Sequence, residues 1–281
     1  MNKFYIQIVF FLLIIPLYMN NKTLATELSP KKDTKHKSKK NKKRYTYDNT
    51  QEIYEKNKHL LYTDIKETKN ACKVMKEALR QLEYHVTNTV DYGLYNIYYT
   101  DYMLFDDIKY QYNTNVEKKQ YIVDNPNKYN KIINKYWNPD HANLFNDDNV
   151  KRKIVRVYNP NLVIIQQRSK TWPWSREKYF YAIAAKFKIS ENKIIIVMSS
   201  ANINDNNCKN KRNFENIIVK NANLFEANID SEDDIRNGKL KKIFVNLSGH
   251  IIEKKTDRIY VTYFESISGI QILIIIYFNN C

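Results

Sequence analysis

The residues that could do chemistry are few and scattered. Five histidines (His36, His59, His85, His141, His250) never fall at the short spacings that bring two imidazoles to one metal. Three cysteines (Cys72, Cys208, Cys281) stand alone with no CxxC pair, and an odd number cannot pair completely within the chain. Asp230, Glu232, Asp233 and Asp234 form an acidic run in NIDSEDDIRNG. Its spacing does not match a calcium-binding EF-hand loop, and it reads more simply as a turn or a helix N-terminus. No HExxH, GxSxG, P-loop or GxGxxG occurs. Four glycines in 281 residues cannot build most phosphate-cradling loops. The expectation is a non-catalytic protein with no catalytic residue, no metal and no cofactor.

What remains is amphipathic aromatic surface. Lys170–Lys188 reads KTWPWSREKYFYAIAAKFK. Tyr179, Tyr181 and Ile183 alternate along one face of a predicted strand, and Phe180 points the other way. Such a face is either ordinary aromatic core or the wall of an apolar cavity. Tyrosine suits a cavity boundary because it has an apolar body and a polar tip.

The elements that would position these residues follow from pattern. Lys3 and the apolar run Ile6–Leu17 have the length and flanks of a secretory signal, with small residues at Thr23 and Ala25 before a cleavage site, so residues 1–25 are expected to be a signal peptide. The formal charge of +16 is uneven. Residues 1–25 carry +2 and residues 26–44 carry +7, nine Lys or Arg against Glu27 and Asp33, which leaves +7 for the rest. Residues 26–49 therefore read as a basic disordered linker suited to an anionic membrane surface. Asp64 with Glu67 three later predicts a capping box. Ala71, Val74, Met75, Ala78, Leu79 and Leu82 then fall on one face of a helix. Two or three strands are expected over Tyr92–Val123. A helix should start at Asn125-Pro126 and run through NKYNKIINKYW. From Lys151 onward the pattern is strand, turn, strand, with turns at Asn159-Pro160-Asn161 and Ser190-Glu191-Asn192. The fold class is α+β, a curved antiparallel sheet with an N-terminal helix and small inserted helices, in one domain over 54–281.

INKYWNPD, followed by a strand pair and then WPWSREKYFYAIAAKF, resembles the START lipid-transfer domain. Trp137 takes the place of that domain's helix-ending tryptophan, and Pro173, Ser175, Tyr179 and Tyr181 match in register. Two features depart from the pattern. Arg176-Glu177 sits one residue closer to Ser175, and Asn134 stands three before Trp137, where choline-lipid relatives carry a basic residue. Over roughly residues 22–269 the chain also resembles the malaria-parasite fam-a family. The segments that carry this are VKRKIVRVYNPNLVIIQQR, YFYAIAAKFKISENK, VMSSANIND and NIDSEDDIRNGKLKKIFVNLSG.

These resemblances imply a START-like helix-grip fold and an exported, monomeric carrier of phosphatidylcholine-like phospholipid, destined for the parasitophorous vacuole or the host red cell. They also imply a cavity lined by Trp137, Tyr179, Tyr181, Ile183, Val197 and Phe225. The competing expectations are a basic module for an anionic membrane surface or polyanion, and a non-functional truncated family member. A nuclear nucleic-acid partner is disfavoured by the signal sequence. The resemblance further implies a C-terminal lid helix. IQILIIIYFNN has no helical periodicity, so the lid is expected to be missing or replaced after residue 269.

Limited proteolysis should cut within Ser29–Asn49 and leave one resistant core; two stable fragments of similar size from residues 54–281 would contradict the single-domain reading.

Overall fold

The computed structural model describes residues 49–88, 93–99, 102–111, 114–141, 150–170, 174–209 and 214–268, and for 93–111 it describes the backbone alone. The expected signal peptide, most of the expected basic linker and the C-terminal tail expected to lack a lid helix lie outside these residues. Helix α1 (Thr50–Lys56) leads to the long helix α2 (Ile65–Thr87). Asp64 caps α2, its carboxylate accepting from the backbone N–H of Lys66 at 2.7 Å and Glu67 at 3.1 Å. Glu67, the other half of the predicted box, turns to the sheet instead. It accepts from the Arg156 guanidinium at 2.5 Å and from the Tyr158 hydroxyl, tying the start of α2 to the sheet.

Three strands follow: β1 (Gly93–Tyr99), β2 (Tyr102–Gln111) and β3 (Thr114–Val123). Asn125 caps a short 3₁₀ turn (Pro126–Lys128) that runs into α3 (Tyr129–Trp137), and a second 3₁₀ turn spans Pro139–His141. The small helices thus sit between the third and fourth strands, as expected. Next come β4 (Val150–Asn159), β5 (Leu162–Ser169), β6 (Lys178–Ser190), β7 (Lys193–Ser199), β8 (Asn202–Asn204) and β9 (Glu226–Asn228). The short helix α4 (Asp233–Arg236) precedes β10 (Lys241–Lys242), β11 (Phe244–Lys254) and β12 (Ile259–Ser268).

The principal sheet has the order β1-β2-β3-β12-β11-β7-β6-β5-β4, antiparallel throughout, with β10 added in parallel beside β6. Register then assigns every side chain to a face. Val163, Ala184, Met198, Ser248, Glu265 and Glu117 form one continuous cross-strand row. His250, Tyr263 and Lys119 share the next row on that face. Tyr179, Tyr181, Ile183 and Ala185 project from the other.

The sheet curls toward the first face. Five strand-to-strand steps separate β4 from β12, about 24 Å if the sheet were flat. Yet Arg152 on β4 lies within electrostatic reach of Tyr263 and Glu265 on β12 and of His250 on β11. The row bearing Glu265 is therefore on the concave side. On the convex side α2 lays Ala71, Val74, Met75, Ala78 and Leu82 against Ile164, Ile183, Val197 and Leu247. On the concave side α1 and α3 supply Ile53, Ile132, Ile133, Tyr136 and Trp137 against Phe180, Ala182, Ile196 and Val261. Both faces of the sheet are thus apolar.

Gly249 sets how closely α2 approaches. A Cβ there would sit 2.6 Å from Leu82 Cδ2 and 2.7 Å from the Ile196 carbonyl oxygen. Gly249→Ala should force α2 away and cost about 1–3 kcal/mol in urea unfolding; an unchanged midpoint would show that the contact yields freely.

Candidate functional site

Five of the six residues expected to line a cavity come together, but on the convex face. Tyr179, Tyr181, Ile183, Val197 and Phe225 are all buried in the layer between the sheet, α2 and the segment 201–240. Their polar atoms have protein partners. The Tyr179 hydroxyl donates to Asp205 at 2.9 Å and accepts from Asn207 at 2.8 Å, and Lys242 pairs with the same Asp205 at 2.8 Å. The Tyr181 hydroxyl accepts from Gln166 at 2.7 Å and meets Ser231 at 2.9 Å. Burial pushes the Tyr181 phenol up to about 12 and Tyr179 higher still, so both stay neutral. The tyrosine tips that suggested a wet cavity boundary instead pin the 201–240 segment to the sheet.

Trp137 is on the opposite, concave face, at the C-terminal end of α3. Among the described residues its indole N–H has no hydrogen-bond partner, and neither does the Tyr129 hydroxyl on the same helix. The Lys186 ammonium lies 5.9 Å from the Trp137 ring and donates to Thr50 of α1.

The predicted acidic run is likewise accounted for by cations. Arg168 grips Asp234 with two hydrogen bonds of 2.6 and 3.0 Å, Lys153 and Arg168 reach Glu232, and Arg236 holds Asp230 and Asp233. Among the described residues no three His, Cys, Asp or Glu side chains group as a metal site.

The concave face carries a different set, built from strands whose neighbours are apolar. Arg152 donates from Nε at 3.0 Å and Nη2 at 2.7 Å to the single Gln167 side-chain oxygen. No carboxylate lies within salt-bridge distance of it among the described residues. Glu265 and Glu117 are direct partners across β12 and β3. Like charges placed so would repel. Lys119 neutralises Glu117 at 2.6 Å, and the Tyr263 hydroxyl bonds Glu265. His250 stacks on Tyr136 of α3 with centroids 3.8 Å apart and leans on Tyr263 at 4.7 Å.

The electrostatics follow from enclosure. Desolvation, reinforced by the charge of Glu117, lifts the Glu265 carboxyl to about 7 against the pull of Lys119 and Arg152. Desolvation, with Arg152 adding to it, holds His250 down at about 3, so its imidazole is neutral. Glu117, Lys119, Arg152, Gln167, Tyr263 and Glu265 nonetheless keep part of their surface accessible, whereas the apolar residues between them are buried.

Only Trp137 among these was singled out from sequence. Glu265 did leave a signal there, as the single charge inside the strand-like run YVTYFESI, whereas Arg152 is one of four basic residues in KRKIVRVY.

No family model matches the chain, and no curated protein matches it in sequence. Among solved structures it is similar to human StAR-related lipid transfer protein 5, at 11% identity and a TM-score of 0.49, covering 72% of this chain and 83% of that one. It is also similar to human STARD10, at 10% identity and a TM-score of 0.46 over 69% and 67%. The human StarD13 (DLC2) lipid transfer and protein localization domain gives 13% identity and a TM-score of 0.42 over 68% and 81%.

Glu265 also makes a pH prediction. Its folded pKa is raised above the unfolded value, so the native state binds the extra proton between about pH 4.5 and 7. This stabilises the fold below that window and is lost as pH rises through it. With partial solvent access the loss should be about 1–2 kcal/mol. Glu265→Gln should flatten the stability profile between pH 5 and 8 in urea titrations; an identical slope in the variant would contradict this.

Proposed function

We propose that this chain is a non-catalytic lipid-binding and lipid-transfer protein that holds a phospholipid in the concavity of its curled sheet. The observation that carries the reading is the accessible polar cluster of Arg152, Gln167, Tyr263 and Glu265 inside a concave face that is otherwise apolar. A small polar metabolite would not need the surrounding Ile, Val and Met side chains. A pure hydrocarbon would not need a half-buried guanidinium, whose desolvation is costly. An amphiphile needs both. Each methylene of an acyl chain withdrawn from water contributes about 0.8 kcal/mol, and a guanidinium whose hydrogen bonds go to a neutral amide is free to take a phosphate oxygen.

Asn134, three before Trp137 where choline-lipid relatives carry a basic residue, is buried and accepts from the Asn49 backbone N–H at 3.1 Å. In this reading Arg152 takes over the phosphate role from a strand rather than from α3. Of the six residues first expected to contact lipid, Trp137 keeps that role and the five convex ones become scaffold. The resemblance of INKYWNPD and WPWSREKYFYAIAAKF to START domains supports the same function. The leader-like N-terminus and the resemblance to the fam-a family support secretion and export, with the basic linker helping the protein reach anionic membranes.

Lipids bound to the purified full-length chain test the reading. Arg152→Gln should lower retained phospholipid about 10- to 100-fold, the loss of one charge-assisted hydrogen-bonded contact. Tyr179→Phe should retain lipid fully while losing about 1 kcal/mol of stability with its hydroxyl network. Undiminished lipid in Arg152→Gln, or loss confined to Tyr179→Phe, would overturn the assignment of the concave face.

A further inference from the structure

The concave cluster holds two opposite charges that the fold keeps apart. Arg152 and Glu265 feel each other's field across the curl but do not form a salt bridge. Arg152 spends its hydrogen bonds on the amide of Gln167. Glu265 is bonded by a neutral phenol and faces a second carboxylate, Glu117, across the strand pair. Enclosed charges held in this way are costly unless something else completes them. Trp137 adds, on the same face, a buried N–H without an acceptor among the described residues. A ligand with a phosphate and a cation a few bonds apart would complete both ends at once.

The cation's chemistry is narrowed by what surrounds Glu265. A trimethylammonium has no N–H and is best held by open aromatic faces. Here the rings of Tyr136, His250 and Tyr263 are turned on one another. A primary ammonium instead wants acceptors, and the Glu265–Glu117 pair still offers the carboxylate oxygens that Tyr263 and Lys119 do not engage.

We propose that the site, taken as the lipid site inferred above, prefers a phospholipid whose headgroup cation carries N–H bonds, an ethanolamine-type primary ammonium at Glu265 and Glu117 with the phosphate at Arg152, over a choline-type trimethylammonium.

The test is a competition at neutral pH. The full-length chain is incubated with vesicles of equimolar phosphatidylethanolamine, its N-methyl and N,N-dimethyl forms, phosphatidylcholine and phosphatidylglycerol, all with the same acyl chains. The protein is re-isolated and its lipid quantified by mass spectrometry. The expected result is phosphatidylethanolamine over phosphatidylcholine by about tenfold, the size of one charge-assisted contact. The largest step should come where the last N–H is replaced by methyl. Glu265→Gln, which keeps the side chain's shape, should bring the ratio toward one. Glu117→Gln provides a second variant, expected to lower the same ratio, should the first fail to fold. Phosphatidylcholine or phosphatidylglycerol bound as well as phosphatidylethanolamine by the unmodified protein would overturn the inference and leave the lipid reading standing. So would an unchanged ratio in a folded Glu265→Gln. No bound lipid of any class would overturn both.

Discussion

The curl of the main sheet is the constraint on which the rest of this structure depends. Alternation along each strand creates two faces, and both are apolar, so both must be covered. Curvature makes them unequal. The convex face is broad enough for the 23-residue helix α2 to lie along it, seated close to the sheet where Gly249 has no side chain. The concave face is closed at one end by the shorter α1 and α3, and it brings β4 opposite β12. Were the sheet flat, Arg152 and Glu265 would lie on distant strands with no shared environment.

That shared environment has a cost that stability alone does not explain. An arginine bonded to an amide, a carboxyl whose pKa burial has raised to about 7, and a second carboxylate across the ladder are expensive to enclose. The convex face shows how the same protein treats polar groups that serve folding. Tyr179, Asp205, Asn207 and Lys242 complete one another, as do Tyr181, Gln166 and Ser231. The convex network is complete within the protein, whereas on the concave side Arg152 bonds, among the described residues, only a neutral amide, and the proposed lipid site rests on that contrast.

Much of this architecture was legible in the sequence. The apolar stripe from Ala71 to Leu82, the Asp64 cap, the Asn125-Pro126 start and the turn residues at 159–161 and 190–192 are local signals, and each element formed where its signal lay. The face of β6 was not legible. Tyr179-Phe180-Tyr181-Ala182-Ile183-Ala184 is apolar at every position, so alternation separates two sets without saying which is concave. That depends on how far the sheet curls, a property of all its strands together. The larger side chains drew attention to the convex set, while the concave set carries alanines at 182 and 184. Glu67 was misread for a related reason: its spacing fits a capping box, but Arg156 and Tyr158, far along the chain, compete for it.

Met198 on the concave face and Met75 against the convex face allow the central claim to be tested in a single experiment. Met198 lies in the concave row with Ser248 and Glu265, and Met75 lies on α2 against the convex face. With carbon-13 methionine methyls assigned through Met→Leu variants, a phospholipid spin-labelled on its acyl chain can be added and the methyl resonances followed by NMR. Lipid in the concavity predicts strong broadening of Met198 with Met75 sharp, reversed when unlabelled phospholipid competes. Broadening of Met75 with Met198 sharp, or of neither, would contradict the assignment of the concave face as the lipid site.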